Sequence, residues 1–303
     1  MKKYYEKDNQ IIYNCDNLEL LKSLPDNSIN LIYSDILYNT GKDFNDYNDN
    51  LGSPKEAIEW YRPRMIEMKR VLKENGSIFI HCNWRLDSYL RVLMDEVFGL
   101  KSYRNTIYRK FINERGLYRD FDSQVDTILY YVKNPNDFVF NEIRDNKKKL
   151  FPLFEHGYIK NQSESFEVGE YKIELPEKTH CIFGKFAVQE IYKNGELIVK
   201  NGLPYRYSNV KPISNVWLGD EMLDNYSHYS SNSEYDTPKP LIIIETIIKM
   251  CSNENDVVGD FFLGGGSTAV AAKKLHRKGI YCDINSKACN ITIARLENEE
   301  LSN

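Results

Sequence analysis

The sequence predicts an α/β fold, a doubly wound sheet in one large domain that carries a smaller insertion. Three observations predict it. Short β-branched and aromatic runs alternate with helix-like stretches, four of those runs end in aspartate, and a glycine-rich turn follows one of them and opens a helix. Parallel strands buried on both faces read as near-continuous apolar runs, and open sheets of this kind bind ligands beyond the carboxyl ends of their strands.

The first such run is Ile11-Ile12-Tyr13-Asn14-Cys15-Asp16 and the second Leu31-Ile32-Tyr33-Ser34-Asp35. Leu18 to Leu24 reads as a helix between them. Pro54 to Leu72 reads as another, with apolar residues at helical spacing (Ile58, Tyr61, Met65, Met68, Leu72). A strand from Ser77 to His81 runs on into Cys82 and Asn83. The helix Leu86 to Phe98 then ends at Gly99, where a left-handed cap is expected. Near the other end, Asp256-Val257-Val258-Gly259-Asp260 and Gly279-Ile280-Tyr281-Cys282-Asp283 are the last two Asp-ended strands. Helices are predicted over Pro240 to Met250, Ser267 to Leu275 and Ser286 to Leu296. A nucleotide-type sheet needs further strands beside the Asp283 unit, and only the amino-terminal half can supply them. The sheet must therefore wrap, with early strands inserted beside late ones.

Residues 141–215 differ in character, holding Lys147-Lys148-Lys149, many aromatics and short strand-like pieces such as Glu170 to Leu175 and Glu196 to Val199. They read as a module inserted between two parts of a core, 1–140 and 216–303.

At 303 residues and 42% hydrophobic content the chain can bury a sizeable core. No apolar run approaches the roughly 18 to 20 residues of a membrane span, and MKKYYEKDNQ lacks the apolar segment of a signal peptide, so no membrane role and a cytoplasmic location are expected. The six cysteines are scattered without a C-x-x-C pair; buried free thiols and no metal are the expectation. A net charge of −4 argues against nonspecific coating of nucleic acid, while leaving room for a local basic groove.

The turn Asp260-Phe261-Phe262-Leu263-Gly264-Gly265-Gly266-Ser267-Thr268 joins a strand to a helix, where glycines let the backbone approach a ligand. Asp283 follows Gly264 by 19 residues at the end of the next strand, the spacing at which an acid in such a unit reaches a ribose. Gly264, Gly266 and Ala269 also satisfy the dinucleotide pattern G-x-G-x-x-A, so the turn alone leaves the ligand open.

Asp35-Ile36-Leu37-Tyr38-Asn39-Thr40-Gly41 leaves a strand end with a carboxylate and an aromatic ring three residues apart. An Asp and a Tyr after a strand are commonly just turn residues. The functional reading is a site for methylating an aromatic amine. Asp35 and the Leu37 carbonyl would accept the two amine hydrogens and direct the nitrogen lone pair, and Tyr38 would stack on a base flipped out of a duplex.

The order of these motifs resembles the β class of DNA amino-methyltransferases (N6-adenine/N4-cytosine). In that family a catalytic D-P-P-Y precedes an inserted target-recognition region and a later F-x-G-x-G cofactor loop. Asp35 to Tyr38 takes the first place and Phe262 to Gly266 the second. Tyr38-Asn39-Thr40-Gly41-Lys42-Asp43-Phe44, Thr237-Pro238-Lys239-Pro240, Asp260-Phe261-Phe262 and Asp126-Thr127-Ile128-Leu129-Tyr130-Tyr131 are similar to modification subunits of type III restriction systems, which are longer.

The resemblance implies a Rossmann-like S-adenosylmethionine-dependent core in circularly permuted order, site-specific methylation of adenine N6 in double-stranded DNA, and a place in restriction-modification. It implies a cofactor site of Asp16 near the adenine, Asp283 on the ribose and Lys239 near the methionine carboxylate. Asp35, Asp260, Phe262, Gly264, Gly266, Ser267 and Thr268 complete that site. A homodimer is expected at family level only, and a restriction endonuclease partner is not required by it. Two positions depart from the pattern: Ile36 and Leu37 replace both prolines, which stiffen the catalytic turn, and Val125 stands before Asp126 where the family often has His.

Arg104, Arg109, Lys110, Arg115 and Arg119 interleave with Tyr103, Tyr108, Phe111 and Tyr118, a mixture suited to phosphate contact and base stacking, although a solvated strand edge looks the same in sequence. In the insertion, Tyr205-Arg206-Tyr207 fits recognition or a structural turn equally. Three rivals remain at this level: a cytosine N4 methyltransferase using the same geometry, a catalytically silent cofactor- or DNA-binding subunit, and an NAD-dependent dehydrogenase resting on the glycine pattern alone.

Overall fold

The computed structural model describes residues 2–41, 43–44, 47–110, 125–142, 149–156, 164–182, 184–208, 215–217 and 240–298. The chain divides into two compact units, Met1–Glu142 together with Ser214–Asn303, and Ile143–Ile213.

The larger unit is built on a nine-stranded sheet. Its strands in chain order are β1 (Tyr5–Lys7), β2 (Gln10–Asn14), β3 (Ile29–Asp35), β4 (Leu72–Cys82), β5 (Tyr103–Lys110), β6 (Val125–Val132), β7 (Val216–Trp217), β8 (Val257–Asp260) and β9 (Lys278–Asp283). Their spatial order is β1-β2-β9-β8-β3-β4-β6-β5-β7. The run β2-β9-β8-β3-β4 is parallel, and β6 is antiparallel to both β4 and β5. The predicted wrap is therefore present, since β9 and β8 insert between β2 and β3.

The helices are α1 (Asn17–Ser23), α2 (Pro54–Val71), α3 (Asp87–Phe98), α4 (Leu241–Cys251), α5 (Ser267–Lys274) and α6 (Ser286–Asn298). α1, α2 and α3 pack side by side, as do α4, α5 and α6. α2 begins in a capping box, Ser53 with Glu56, and has Pro54 in its first turn, where a missing N–H costs nothing. It buries Ala57, Tyr61, Arg64, Met65, Met68 and Val71; of the predicted apolar face Tyr61, Met65 and Met68 are buried, Ile58 is half-buried and Leu72 already begins β4. At the end of α3, Gly99 has φ +92° and ψ 143°. The positive φ is as expected, but the residue lies outside the left-handed helical well, because the chain turns straight into a single 3-10 turn over Leu100–Ser102.

β3 is buried from Ile29 through Ser34, because parallel neighbours pair on both edges and helices cover the sheet. Ile29, Leu31, Ile32, Tyr33, Ile78 and Ile80 are all within 1% of full burial. Each aliphatic side chain of this kind contributes about 1.5–3 kcal/mol, which fixes the positions of the strand ends that carry the site.

The smaller unit has its own core of Leu153, Val168, Ile173, Leu175, Val188 and Ile191. Glu164–Val168 and Tyr171–Leu175 form a hairpin, and Leu197–Lys200, Leu203–Ser208 and Lys149–Pro152 form a three-stranded antiparallel sheet. The two strand-like pieces seen in the sequence are strands here. The helix Gly184–Lys193 was not anticipated. All six cysteines are free thiols, and Cys82, Cys251, Cys282 and Cys289 are buried. Among the described residues no group of three or more His, Cys, Asp or Glu is placed to hold a metal, and no helix is long and apolar enough to cross a membrane.

Candidate active site

Register places the aspartates along one edge of the sheet. Asp283 pairs with Asn14, Asp260 with Tyr281 and Asp35 with His81, and Asp16 follows two residues after Asn14. Four aspartates thus lie at or just beyond the carboxyl ends of neighbouring strands, the side of an open α/β sheet on which ligands bind.

The glycine turn after β8 is shaped from below and from the side. Thr268 Oγ1 donates to Asp260 Oδ2 at 2.6 Å and the Phe262 amide to Asp260 Oδ1 at 3.0 Å. Burial raises the Asp260 carboxyl to a pKa of about 7. With both Asp260 and Thr268 2% exposed, the pair braces the turn instead of facing its mouth. The Gly264 amide donates to Asp283 Oδ2 at 2.8 Å and the Asn285 amide to Oδ1 at 2.9 Å. Burial also pushes the Asp283 carboxyl above the usual carboxylate range. Gly264 and Gly266 have φ of +51° and +76°. At Gly266 a Cβ would come within 2.3 Å of Thr292 Oγ1, so this glycine is required both by its backbone and by α6. Ser267 is buried at the start of α5. Ile284, beside Asp283, is 73% exposed, an apolar surface that the sequence reading missed.

Asp16 is engaged on α1, where it accepts the Leu18 amide at 2.8 Å as the helix cap. It also pairs with Arg64 Nη2 at 2.9 Å. The Arg64 guanidinium lies 3.3 Å over the Trp60 ring, and Trp60, Tyr61 and Phe262 form an aromatic group with centroid separations of 5.0 to 6.2 Å. Phe262 of the glycine turn therefore packs on α2. Lys239 lies outside the described residues.

The turn after β3 is held at every step. The Ile36 amide donates to the His81 carbonyl at 3.2 Å, and the Ile36 side chain is buried in the core. Tyr61 Oη donates to the Leu37 carbonyl at 2.8 Å. Tyr38 Oη donates to Asp35 Oδ1 at 2.8 Å. Burial, reinforced by the Asp35 charge, keeps the Tyr38 phenol protonated by raising its pKa well above the ordinary value. Beyond Tyr38, the buried Asp49 accepts the Asn39 amide at 3.0 Å, the Thr40 amide at 2.9 Å and Thr40 Oγ1 at 2.6 Å.

Behind Asp35 stands a buried polar group. His81 Nδ1 is 2.8 Å from Tyr33 Oη and 3.9 Å from Asp35 Oδ1, and His81 Nε2 is 3.4 Å from Asp126 Oδ2. Asp126 in turn pairs with Arg109 Nη1 at 3.2 Å. The antiparallel pairing of β6 with β4 and β5 brings these together.

That arrangement separates the basic residues singled out in the sequence. Arg109 is committed to Asp126. Lys110, the next residue, is exposed at the strand end. Arg104 lies at the opposite end of β5, bonded to the carbonyls of Lys101 and Tyr103 with its guanidinium 5.3 Å from the Phe138 ring, so it does not join Lys110. Arg115 and Arg119 lie outside the described residues.

The sheet order and the strand-end aspartates define an α/β core with its cleft at the carboxyl ends of the strands. A model of the DNA methylase family (N6_N4_Mtase) matches residues 29–294, and the chain belongs to that family, which makes this a methyltransferase core with S-adenosylmethionine as its cofactor. The dehydrogenase alternative falls with this finding. The chain is similar to the type II methyltransferase M.HpaI of Haemophilus parainfluenzae, 28% identical over 288 residues that cover 94% of this chain and 74% of the relative. It is similar also to the StyLTI Mod subunit, a type III restriction-modification enzyme of Salmonella typhimurium, 26% identical over 92% of this chain and 53% of that one. Among solved structures, the M1.HpyAVI–SAM complex shares the fold, with a TM-score of 0.54, 19% identity and coverage of 94% and 98% of the two chains.

Proposed function

We propose that this DNA methyltransferase acts on adenine N6, with the larger unit as catalytic core and the smaller as target-recognition module, in the cytoplasm. The observation that carries the reading is the pair of acceptors at the end of β3, the Asp35 carboxylate and the Leu37 carbonyl, on a turn anchored to the core on both sides. Asp35 accepts one amine hydrogen and the Leu37 carbonyl the other, which localises the nitrogen lone pair away from the purine ring. Tyr38 leaves its bond to Asp35 and stacks on the flipped base. Asp283 holds the ribose hydroxyls, Ile284 offers an apolar face to the cofactor adenine, and Phe262 closes the turn against α2. S-adenosylmethionine supplies an electrophilic methyl group on a sulfonium. The proton released on methylation passes to Asp35, the nearest base. Lys110 contacts a DNA phosphate.

The choice of adenine rests on aspartate at position 35 and on the likeness to type III modification subunits. Cytosine N4 presents the same two hydrogens and is the competing substrate. Single-molecule sequencing of DNA from a methylation-free bacterial host expressing the protein, beside Asp35→Ala, tests the reading. A sequence-specific N6-methyladenine signal present only with the wild type is expected. An N4-methylcytosine signal would transfer the assignment to cytosine, and no modification from protein that still binds S-adenosylmethionine would favour the silent subunit.

A further inference from the structure

We infer that Asp49 is a positioning residue for methyl transfer, and that its clamp supplies the rigidity that Ile36 and Leu37, standing where the family has prolines, do not. The inference rests on the reading that Asp35 to Tyr38 grip the target amine.

Proline stiffens a turn by fixing φ. Without it, the Leu37 carbonyl and the Tyr38 backbone are free to rotate unless other bonds hold them, and each loose rotor spreads the aim of an acceptor that must meet a particular N–H. The turn is fixed from three directions. At its start the Ile36 amide is bonded to the His81 carbonyl, and at its middle Tyr61 Oη holds the Leu37 carbonyl. Past Tyr38 the Asp49 carboxylate takes three donors, the Asn39 and Thr40 amides and Thr40 Oγ1. Two further bonds close the same loop: Leu51 N donates to Asn39 Oδ1 at 2.8 Å, and Asn39 Nδ2 to the Gly52 carbonyl at 2.9 Å.

Asn39 has φ +52°, a conformation that costs energy outside glycine and persists where surrounding bonds over-determine it. Asp49 is 2% exposed. Burying a carboxylate is costly, and three donors converging on one carboxylate offset that cost. Asp49 also belongs to the surroundings of Tyr61, whose phenol burial holds well above its ordinary pKa with the Asp49 charge as the next cause. Asp49 thus fixes the carboxyl side of the turn, while Tyr61, whose phenol pKa is raised mainly by burial, donates to Leu37 from the other side. None of these five clamp bonds involves a residue of the glycine turn.

The test uses the full chain with S-adenosylmethionine and a DNA duplex carrying the methylated site. Asp49→Asn presents an N–H₂ to one of the bound donors. It is expected to lower the single-turnover rate about 100-fold at saturating DNA while leaving S-adenosylmethionine affinity within about twofold. Thr40→Val, which loses one bond of the three, is expected to fall between, and Thr40→Ser to recover most of that loss. Amide hydrogen exchange at Asn39 and Thr40 should quicken in Asp49→Asn without a matching change across β3 and β4. A wild-type rate in Asp49→Asn would overturn the proposal. So would parallel losses of rate, cofactor affinity and melting temperature, the signature of general damage to the fold. If the wild type methylates no DNA, the amine-grip reading fails by itself, and the exchange rates alone then decide whether the clamp exists.

Discussion

The hydroxyl of Tyr38 and the carboxylate of Asp35 are bonded at 2.8 Å, so the two groups to which the proposed function gives the stacking and acceptor roles are joined to each other. Tyr61 does the same for the Leu37 carbonyl, again at 2.8 Å. Two phenolic O–H groups therefore occupy the acceptors that an amine with two N–H groups would use. In the proposed mechanism each acceptor thus already holds one O–H donor, and Tyr38 must release Asp35 before its ring can stack on a base.

Tyr38→Phe removes that competition and keeps the ring. It is expected to bind a duplex with an extruded target base more tightly than the wild type and to retain methyl transfer. Tyr38→Ala loses the stacking platform, worth about 1–3 kcal/mol per base, and should weaken target binding about 5- to 150-fold. Titration with 2-aminopurine at the target position reads both. Equal losses in the two variants would show that the hydroxyl, and not the ring, serves the base.

Arg109 and Lys110 are neighbours in sequence with different expected phenotypes. Removing Arg109 takes the guanidinium at 3.2 Å from the Asp126 carboxylate, 10% exposed, and leaves His81 beside it; breaking a fully buried pair costs about 3–5 kcal/mol, an upper bound here. Arg109→Ala should therefore show as lowered stability in urea unfolding. Lys110→Ala should leave stability unchanged, weaken DNA binding, and reduce the slope of log affinity against log salt by about 1. A stable Arg109→Ala protein with a reduced salt slope would reverse the assignment.

Asp260 gives a pH dependence of known sign. Burial raises its folded-state pKa from the ordinary 3.8 to about 7. Between those values the folded protein retains a proton that the unfolded chain releases. The contribution of Asp260 to stability is therefore fully present below about pH 4 and is lost as pH rises through 7. Asp260→Asn keeps an acceptor for the Phe262 amide and cannot ionise. Relative to wild type, its stability should rise between pH 4 and pH 8 by on the order of a few kcal/mol. Chemical unfolding of both proteins at pH 5 and pH 8 measures this. A constant difference between them would exclude Asp260 as the source.

Gly266→Ala places a methyl group at φ +76°, within 2.3 Å of Thr292 Oγ1. Strain of this kind costs about 1–3 kcal/mol, and the turn must shift to relieve the clash. S-adenosylmethionine affinity should fall with stability, and adding Thr292→Ala should recover part of both losses. Calorimetric titration of the single and double variants checks it; wild-type affinity in Gly266→Ala would detach this glycine from the cofactor turn.

The core was legible because its signal is local. Runs such as Leu31 to Tyr33 are apolar, since parallel neighbours and covering helices bury both faces, and each is followed within three residues by an aspartate at the strand end. The glycine turn carried its own punctuation. Asp49 carried none: it stands in the polar run Asn45 to Asn50, which reads as any solvated loop, and its burial follows from tertiary bonds to Asn39 and Thr40. The basic residues of β5 were misleading for the same reason. Alternation tells that Arg109 and Lys110 point to opposite faces, but only the pairing with β6 shows that one face already holds Asp126. The role of Tyr61 was hidden by its helical spacing, which explains its burial completely while saying nothing of its hydroxyl.

The wrapped strand order also constrains how the protein is made. β8 and β9 occupy the centre of the parallel sheet yet emerge from the ribosome after every other strand. Until residues 257–283 appear, β2 can pair only with β1, and β3 only with β4, leaving two half-sheets with open inner edges that invite pairing with other chains. The same late segment supplies both the glycine turn and Asp283. Closing the sheet and completing the proposed cofactor site are thus one event.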